Sequence, residues 1–278
     1  MHRLVLSSLS RLTERPLQVP SCHRFIANDD DEWWSASLDR FPPGYSPCNV
    51  IQSQRIPPVP QQVREFLIDM YCPESLRPEI KASDANKDCL IRPYLGRRRV
   101  NTNRHQQSKF QAFSLRSFPL HLDQMEEIGI SFSDRETYAR MMARALALMH
   151  WDAKIDANDF EFVIAPPPNT DPTRNYYSPV ISNVPGDHTI WILDFDCCRK
   201  MTMDESGVKQ AVKAFLRNDP FYPRPDCCEV LWEAFRDEYL QTSVRIIDNN
   251  HRKGCLLPLS FVEGIEERSS CLHQEATS

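Results

Sequence analysis

The sequence predicts an α+β fold, and three observations carry that reading. Short β-prone runs gather in roughly the first 120 residues, and segments of helical period dominate the rest. Proline, at 22 residues against 7 glycines, divides the chain into blocks at Pro42-Pro43, Pro57-Pro58, Pro166-Pro167-Pro168 and Pro220 to Pro225.

Residues 1–20 combine Arg and Ser with no acid before Glu14, the composition of a mitochondrial presequence, and are expected to be poorly ordered or targeting-like. Residues 22–27 and 49–56 read as short strands, the second stopped by Pro57. Trp33-Trp34 after an acidic run is expected to fold onto the domain. Pro60 opens a helix in which Val63, Phe66, Leu67 and Met70 share one face. Asp88 to Arg92 and Ala112 to Leu115 are further strand candidates, joined by a basic loop rich in Asn and Gln. The clearest helix is expected from Ser133, where Ser133-Asp-Arg-Glu136 forms a capping box and Tyr138, Met141, Met142, Ala145, Leu148 and Met149 line one side. Glu161 to Ala165 and Thr189 to Leu193 suit a hairpin across a Pro- and Asn-rich insertion. Helices are expected at 204–217 and 228–248, the latter burying Val230, Leu231, Phe235, Tyr239 and Leu240, and a polar tail follows Glu266.

Composition excludes several classes. A hydrophobic fraction of 41 % with 26 % charged residues is ordinary for a globular chain, and a net charge of −5 gives no basic field to draw it onto nucleic acid or anionic lipid. No apolar run approaches the roughly 20 residues of a membrane span. The 10 cysteines are scattered, with no Cys-x-x-Cys and no secretory leader before them, which favours reduced thiols and gives tetrahedral zinc poor support. The expected compartment is cytoplasmic or nuclear, with mitochondrial as the weaker alternative. No nucleic acid and no membrane are expected as partners, and a protein partner, not identified, is.

Three carboxylates could converge. Asp156 and Glu161 lie in Ala153-Lys-Ile-Asp156-Ala-Asn-Asp159-Phe-Glu161-Phe-Val163, after a helix ending in Leu148-Met-His150, and Asp194 ends a strand in Leu193-Asp-Phe-Asp196. Phosphoryl transfer asks for one carboxylate to orient the attacking hydroxyl and one or two to hold Mg²⁺. Carboxylates after a helix and at a strand end also serve as caps and turn residues, so the pattern alone leaves both readings open. Arg97, Arg98 and Arg99, with Arg92 and Arg104, form the best candidate patch for a phosphate or an acidic partner, against the plainer reading of a solvated hairpin tip.

This segment resembles the protein-kinase and aminoglycoside-phosphotransferase-like superfamily, whose catalytic loop carries Asp-x-x-x-x-Asn and whose next strand ends in a metal-binding Asp. The resemblance implies that Asp156 is the candidate base and that Asp194 is a Mg²⁺ ligand. Glu161 stands where the family has Asn, as a candidate catalytic or metal residue that adds negative charge. A wider similarity, over most of residues 50–250, is to a fungal family labelled zinc finger protein. It rests on Gln54-Arg-Ile-Pro-Pro-Val-Pro60, Asn86-Lys-Asp-Cys-Leu-Ile-Arg92, Tyr94-Leu-Gly-Arg-Arg-Arg99, Phe113-Ser-Leu-Arg-Ser-Phe118, Met149-His-Trp151, Asn218-Asp-Pro220 and Tyr222-Pro-Arg-Pro225. Longer members of that family begin with a Gly-rich loop and a Lys-bearing strand. With 7 glycines and no Gly-x-Gly, this sequence offers no nucleotide clamp.

The resemblance thus implies a truncated kinase-like fold: a single domain over 21–265, with a reduced small lobe, hinge and insertion at 21–120, a helical lobe at 121–265, and a disordered tail at 266–278. The expected function is non-catalytic binding or regulation by a degenerate kinase-like protein. The alternative is a Mg²⁺-dependent ATP phosphotransferase acting on a small hydroxylated metabolite, and Mg²⁺ and ATP enter as cofactors only with it.

Overall fold

The computed structural model describes residues 1–12, 15–99, 113–168, 179–249 and 256–276. Arg104, most of the basic loop and residues 169–178 of the insertion lie outside them. The N-terminal residues, where the sequence suggests little order, hold helix α1 (His2–Ser10), whose Val5 and Leu9 are buried. Its neighbour is a π-helical turn at Leu148–Asp152, and Arg11 pairs with Asp152. Strand β1 (Cys22–Ile26) pairs antiparallel with β2 (Val50–Ser53) in a sheet of their own. Between them α2 (Asp31–Ser37) is capped by Asp30 and buries Trp34, whose indole donates to Ala27 O at 2.9 Å.

Helix α3 (Gln61–Tyr71) follows Pro60 and buries Val63, Leu67 and Ile68, whereas Met70, expected on the same face, is 40 % exposed. A short α4 (Arg77–Ala82) leads to β3 (Ile91–Tyr94), which starts where the strand expected at Asp88–Arg92 was to end. Of the strand expected at Ala112–Leu115, residue 112 lies outside the described residues and residues 113–115 are not in a strand; β4 is Phe118–His121. Its Pro119 lacks the N–H a central strand would need, and β4 sits at the sheet edge, where that lack is harmless. The short α5 (Leu122–Glu127) follows directly, with Gln124 folded back on the His121 N–H at 3.0 Å.

Helix α6 (Phe132–Ala147) begins two residues earlier than a Ser133 cap implies, because Ser131 caps it, accepting from Asp134 N at 3.0 Å. It runs into the π-helical turn, then β5 (Glu161–Ala165), β6 (Ile181–Asn183) and β7 (Gly186–Leu193). The five-stranded sheet has the order β4-β3-β5-β7-β6, so it draws strands from both sides of residue 120. The expected hairpin forms, with Glu161 opposite Leu193 and Ala165 opposite Thr189.

Helix α7 (Glu205–Arg217) is capped by Asp204, and α8 (Glu229–Asn249) packs along α6. α8 buries Leu231, Trp232, Phe235 and Tyr239, while Val230, expected inside, is 54 % exposed. The last helix, α9 (Leu257–Ala276), takes in the residues after Glu266 that read as a polar tail, anchored by buried Phe261, Val262 and Ile265. The proline-rich corner between α7 and α8 meets the end of β3: Leu95 N and Gly96 N donate to Phe221 O and Pro220 O at 3.1 and 2.9 Å. A Cβ on Gly96 would lie 2.2 Å from Tyr222 O, so only glycine allows this approach. The chain is thus an α+β protein, and among the described residues no helix is long and apolar enough to cross a membrane.

Candidate functional site

The β5–β7 register decides what can meet. Because Glu161 opens β5 opposite Leu193, which closes β7, Asp194 emerges beside Glu161 at the same end of the sheet. The loop entering β5 lies beneath, tied to the segment after β7 by a bridge between Ile155 and Lys200 and by Asp156 N donating to Arg199 O at 2.9 Å. The three sequence-predicted carboxylates therefore gather in one region, in three different states.

Asp156 is buried, and both oxygens of its carboxylate accept hydrogen bonds from the protein. Oδ1 accepts from Arg199 N at 2.8 Å and from Asn158 N at 3.2 Å, and Oδ2 accepts from the Gln210 amide at 2.8 Å. Glu161 is half-buried and paired with Arg92, whose guanidinium also reaches Asp219 at 3.4 Å. Burial alone would lower the Arg92 pKa, and Glu161 and Tyr94 together outweigh it and raise it. The charge that replaced a neutral Asn in the resemblance is thereby neutralised within the chain.

Asp194 differs: it is exposed, and its backbone is left-handed at φ +65°. Its carboxyl is pushed up to about 6, first by a hydrogen bond with Asp196, then by burial and by the charges of Asp196, Glu161 and Asp159. The Asp196 carboxyl moves down, chiefly through that same hydrogen bond. The two shifts belong to the close carboxyl pair as a whole, which holds its last proton to higher pH than an isolated carboxyl does.

The loop beneath is strained. Lys154, Ala157 and Asp159 all have left-handed backbones, at φ +55°, +52° and +61°. Asn218 holds it: its Oδ1 accepts from Asp159 N at 2.6 Å, and its amide donates to Ala157 O at 2.8 Å. On the inner side His150 is completely buried, with Nδ1 2.8 Å from the Tyr239 hydroxyl, and burial lowers its pKa to about 3.

The arginine patch separates. Arg98 makes a two-pronged pair with Glu126 at 2.6 and 2.8 Å, and Arg99 pairs with Asp123 and Glu127 at 2.7 and 3.0 Å. Arg97 is exposed, without an acidic partner among the described residues. Sequence reasoning missed Gln210 and Asn218 and did not pair Arg92 with Glu161. Arg92 and Asn218 end or begin motifs already singled out, whereas Gln210 carries no signal of its own.

A family model described as zinc finger protein matches residues 190–251, from the middle of β7 past the end of α8. No curated protein and no solved structure matches the chain. Zinc finds no ligand set among the described residues, where no three His, Cys, Asp or Glu side chains are grouped to hold a metal ion. Within the matched segment Cys198 is buried and donates to Asn158 O at 3.4 Å, and Cys197 is exposed beside Asp159.

Proposed function

We propose that this chain is a non-catalytic binding or regulatory protein built on a degenerate kinase-like fold. The observation that carries the reading is the state of Asp156. A general base must reach the proton it removes, and this carboxylate is buried, with both oxygens held by three donors of its own chain. Glu161 adds support, since its charge is tied to Arg92. The kinase-like description rests on the order of parts: a long helix, a buried His-Trp turn, a loop carrying Asp156, and a hairpin whose second strand ends in Asp194.

One observation favours the alternative, a Mg²⁺-dependent ATP phosphotransferase acting on a small hydroxylated metabolite. Asp194 and Asp196 form an exposed carboxyl pair near Asp159 and Glu161 whose hydrogen bond and mutual repulsion raise the Asp194 carboxyl, and a cation would relieve the same repulsion. The described residues do not fit a resident Mg²⁺, since Glu161 is engaged by Arg92 and among them no three carboxylates are grouped to hold a metal.

Calorimetric titration with ATP and Mg²⁺, with Asp194→Asn as control, separates the two. The proposal expects no Mg²⁺-dependent heat at millimolar ATP in a folded sample. Binding that disappears in Asp194→Asn would overturn it in favour of the phosphotransferase.

A further inference from the structure

Helices α3 and α4 and the turn after α4 enclose a pocket of about 100 Å³, on elements that take no part in the Asp156 cluster. Three cationic side chains line it, Arg64, Lys81 and Lys87, together with Ser83, Gln61 and Glu65. Their charges are not equally spent. Lys81 is paired with Asp69 at 2.7 Å and Lys87 with Asp84 at 2.5 Å, and the Glu65 carboxylate accepts from the Gln61 amide at 2.7 Å. Arg64 has no carboxylate partner among the described residues. Its Nη1 donates to Asn86 O at 3.2 Å, and its Nε is buried with no hydrogen-bond partner.

Among the described residues no counter-charge comes from the protein interior either. Cys89 feels the Arg64 charge from that side, but burial pushes its thiol up to about 12, so it stays neutral. A guanidinium with an unused buried donor is costly unless something anionic completes it. The planar fork of Arg suits two oxygens of a tetrahedral anion, and Lys81 and Lys87, each already paired with an aspartate, can add further N–H donors from the pocket lining.

We propose that this pocket binds a phosphate-sized oxyanion, taken either as free inorganic phosphate or as the phosphoryl tip of a small monoester. A volume of about 100 Å³ matches a single tetrahedral group with a few waters and is too small to enclose a whole nucleotide. The site is independent of the Asp156 and Asp194 reading and stands whether or not that reading does.

The test is calorimetric titration of the full chain with inorganic phosphate and, separately, phenyl phosphate, each against chloride at equal ionic strength. A melting curve at each ligand concentration gives the mass-action rise in Tm. Arg64→Gln is expected to weaken binding about tenfold or more, the worth of a charge-assisted hydrogen bond. Lys87→Ala, on an exposed side chain that leaves the fold intact, is expected to weaken it several-fold. Equal affinity for the two ligands assigns the site to a monoester tip, and preference for inorganic phosphate assigns it to the free ion. The proposal fails if the parent binds neither at tens of millimolar, or if Lys87→Ala and Arg64→Gln both bind as the parent does. Should Arg64→Gln not fold, the Lys87→Ala comparison decides alone.

Discussion

Replacing Asp156 tests whether its carboxylate is an anchor or a reagent. In Asp156→Ala, Arg199 N, Asn158 N and the Gln210 amide lose an acceptor they hold at 2.8, 3.2 and 2.8 Å, at a site only 4 % exposed. A hydrogen bond to a charged group contributes about 1.5–3 kcal/mol. The three share one carboxylate and are not additive, and Gln210 can turn to solvent, so the expected loss is about 3–4 kcal/mol. Against a total stability of roughly 5–15 kcal/mol that is severe. It should lower Tm by roughly 6–12 °C, and the urea midpoint should fall with an unchanged slope. Asp156→Asn keeps an acceptor for the two backbone donors and asks only that Gln210 present its oxygen instead, so about 1 kcal/mol should be lost. An Asp156→Ala protein melting within about 2 °C of the parent would refute the anchor argument, because no buried donor set of this size goes unmade at so small a cost.

The carboxyl pair gives a second expectation. Asp194 is raised to about 6, so the folded state holds an extra proton between the ordinary carboxyl range and pH 6, and stability falls as pH rises through that window. Asp194→Asn should remove that fall, and identical pH profiles of the two proteins' melting would count against a proton held by the pair. Arg92→Ala leaves the half-buried Glu161 unpaired and should cost roughly 1–3 kcal/mol, with part regained in Arg92→Ala/Glu161→Gln; additive losses in that double-mutant cycle would show that the pair is not coupled. His150, lowered to about 3 by burial, contributes stability that is full above its ordinary pKa of 6.5 and is lost as pH falls toward 3. His150→Phe should flatten acid unfolding over that range, and an unchanged acid limb would place the sensitivity elsewhere.

The parts of this fold that could be read from sequence are those set by local period. The apolar runs of β5 and β7 gave the hairpin, and its register then delivered Asp194 to Glu161 without further information. α7 and α8 were legible from their stripes, and α3 from Pro60 and Val63, Leu67. Where two local signals compete the pattern is silent: Ser131 and Ser133 both precede an acid three residues on, and buried Ile130 places the turn at the earlier one. Pro119 hid β4, because a proline reads as a break until the strand is known to lie at an edge. The candidate site was legible as a position but not as a chemical state. Arg92 and Glu161 are 69 residues apart, Gln210 and Asp156 54 apart, and α5, which supplies the acids that neutralise Arg98 and Arg99, was not read at all.

The strained loop completes the argument, because its conformation has to be held from outside. Lys154, Ala157 and Asp159 each occupy left-handed backbone at a cost of the order of 1–3 kcal/mol, so three in six residues persist only where neighbours over-determine them. Asn218, just past α7, is one such constraint from outside the loop, joining Asp159 N and Ala157 O through one side chain at 2.6 and 2.8 Å. Asn218→Ala should therefore release the loop ahead of the fold. Amide exchange of residues 157–159 is expected to accelerate, and Tm to fall by a few degrees for a loss of about 2 kcal/mol, while the protected amides of α6 and α8 keep their relative order. If exchange in the loop stays at the parent rate relative to those helices, its conformation is set by its own residues and by Asp156. In that case α7 would be a neighbour of the site and not a part of it.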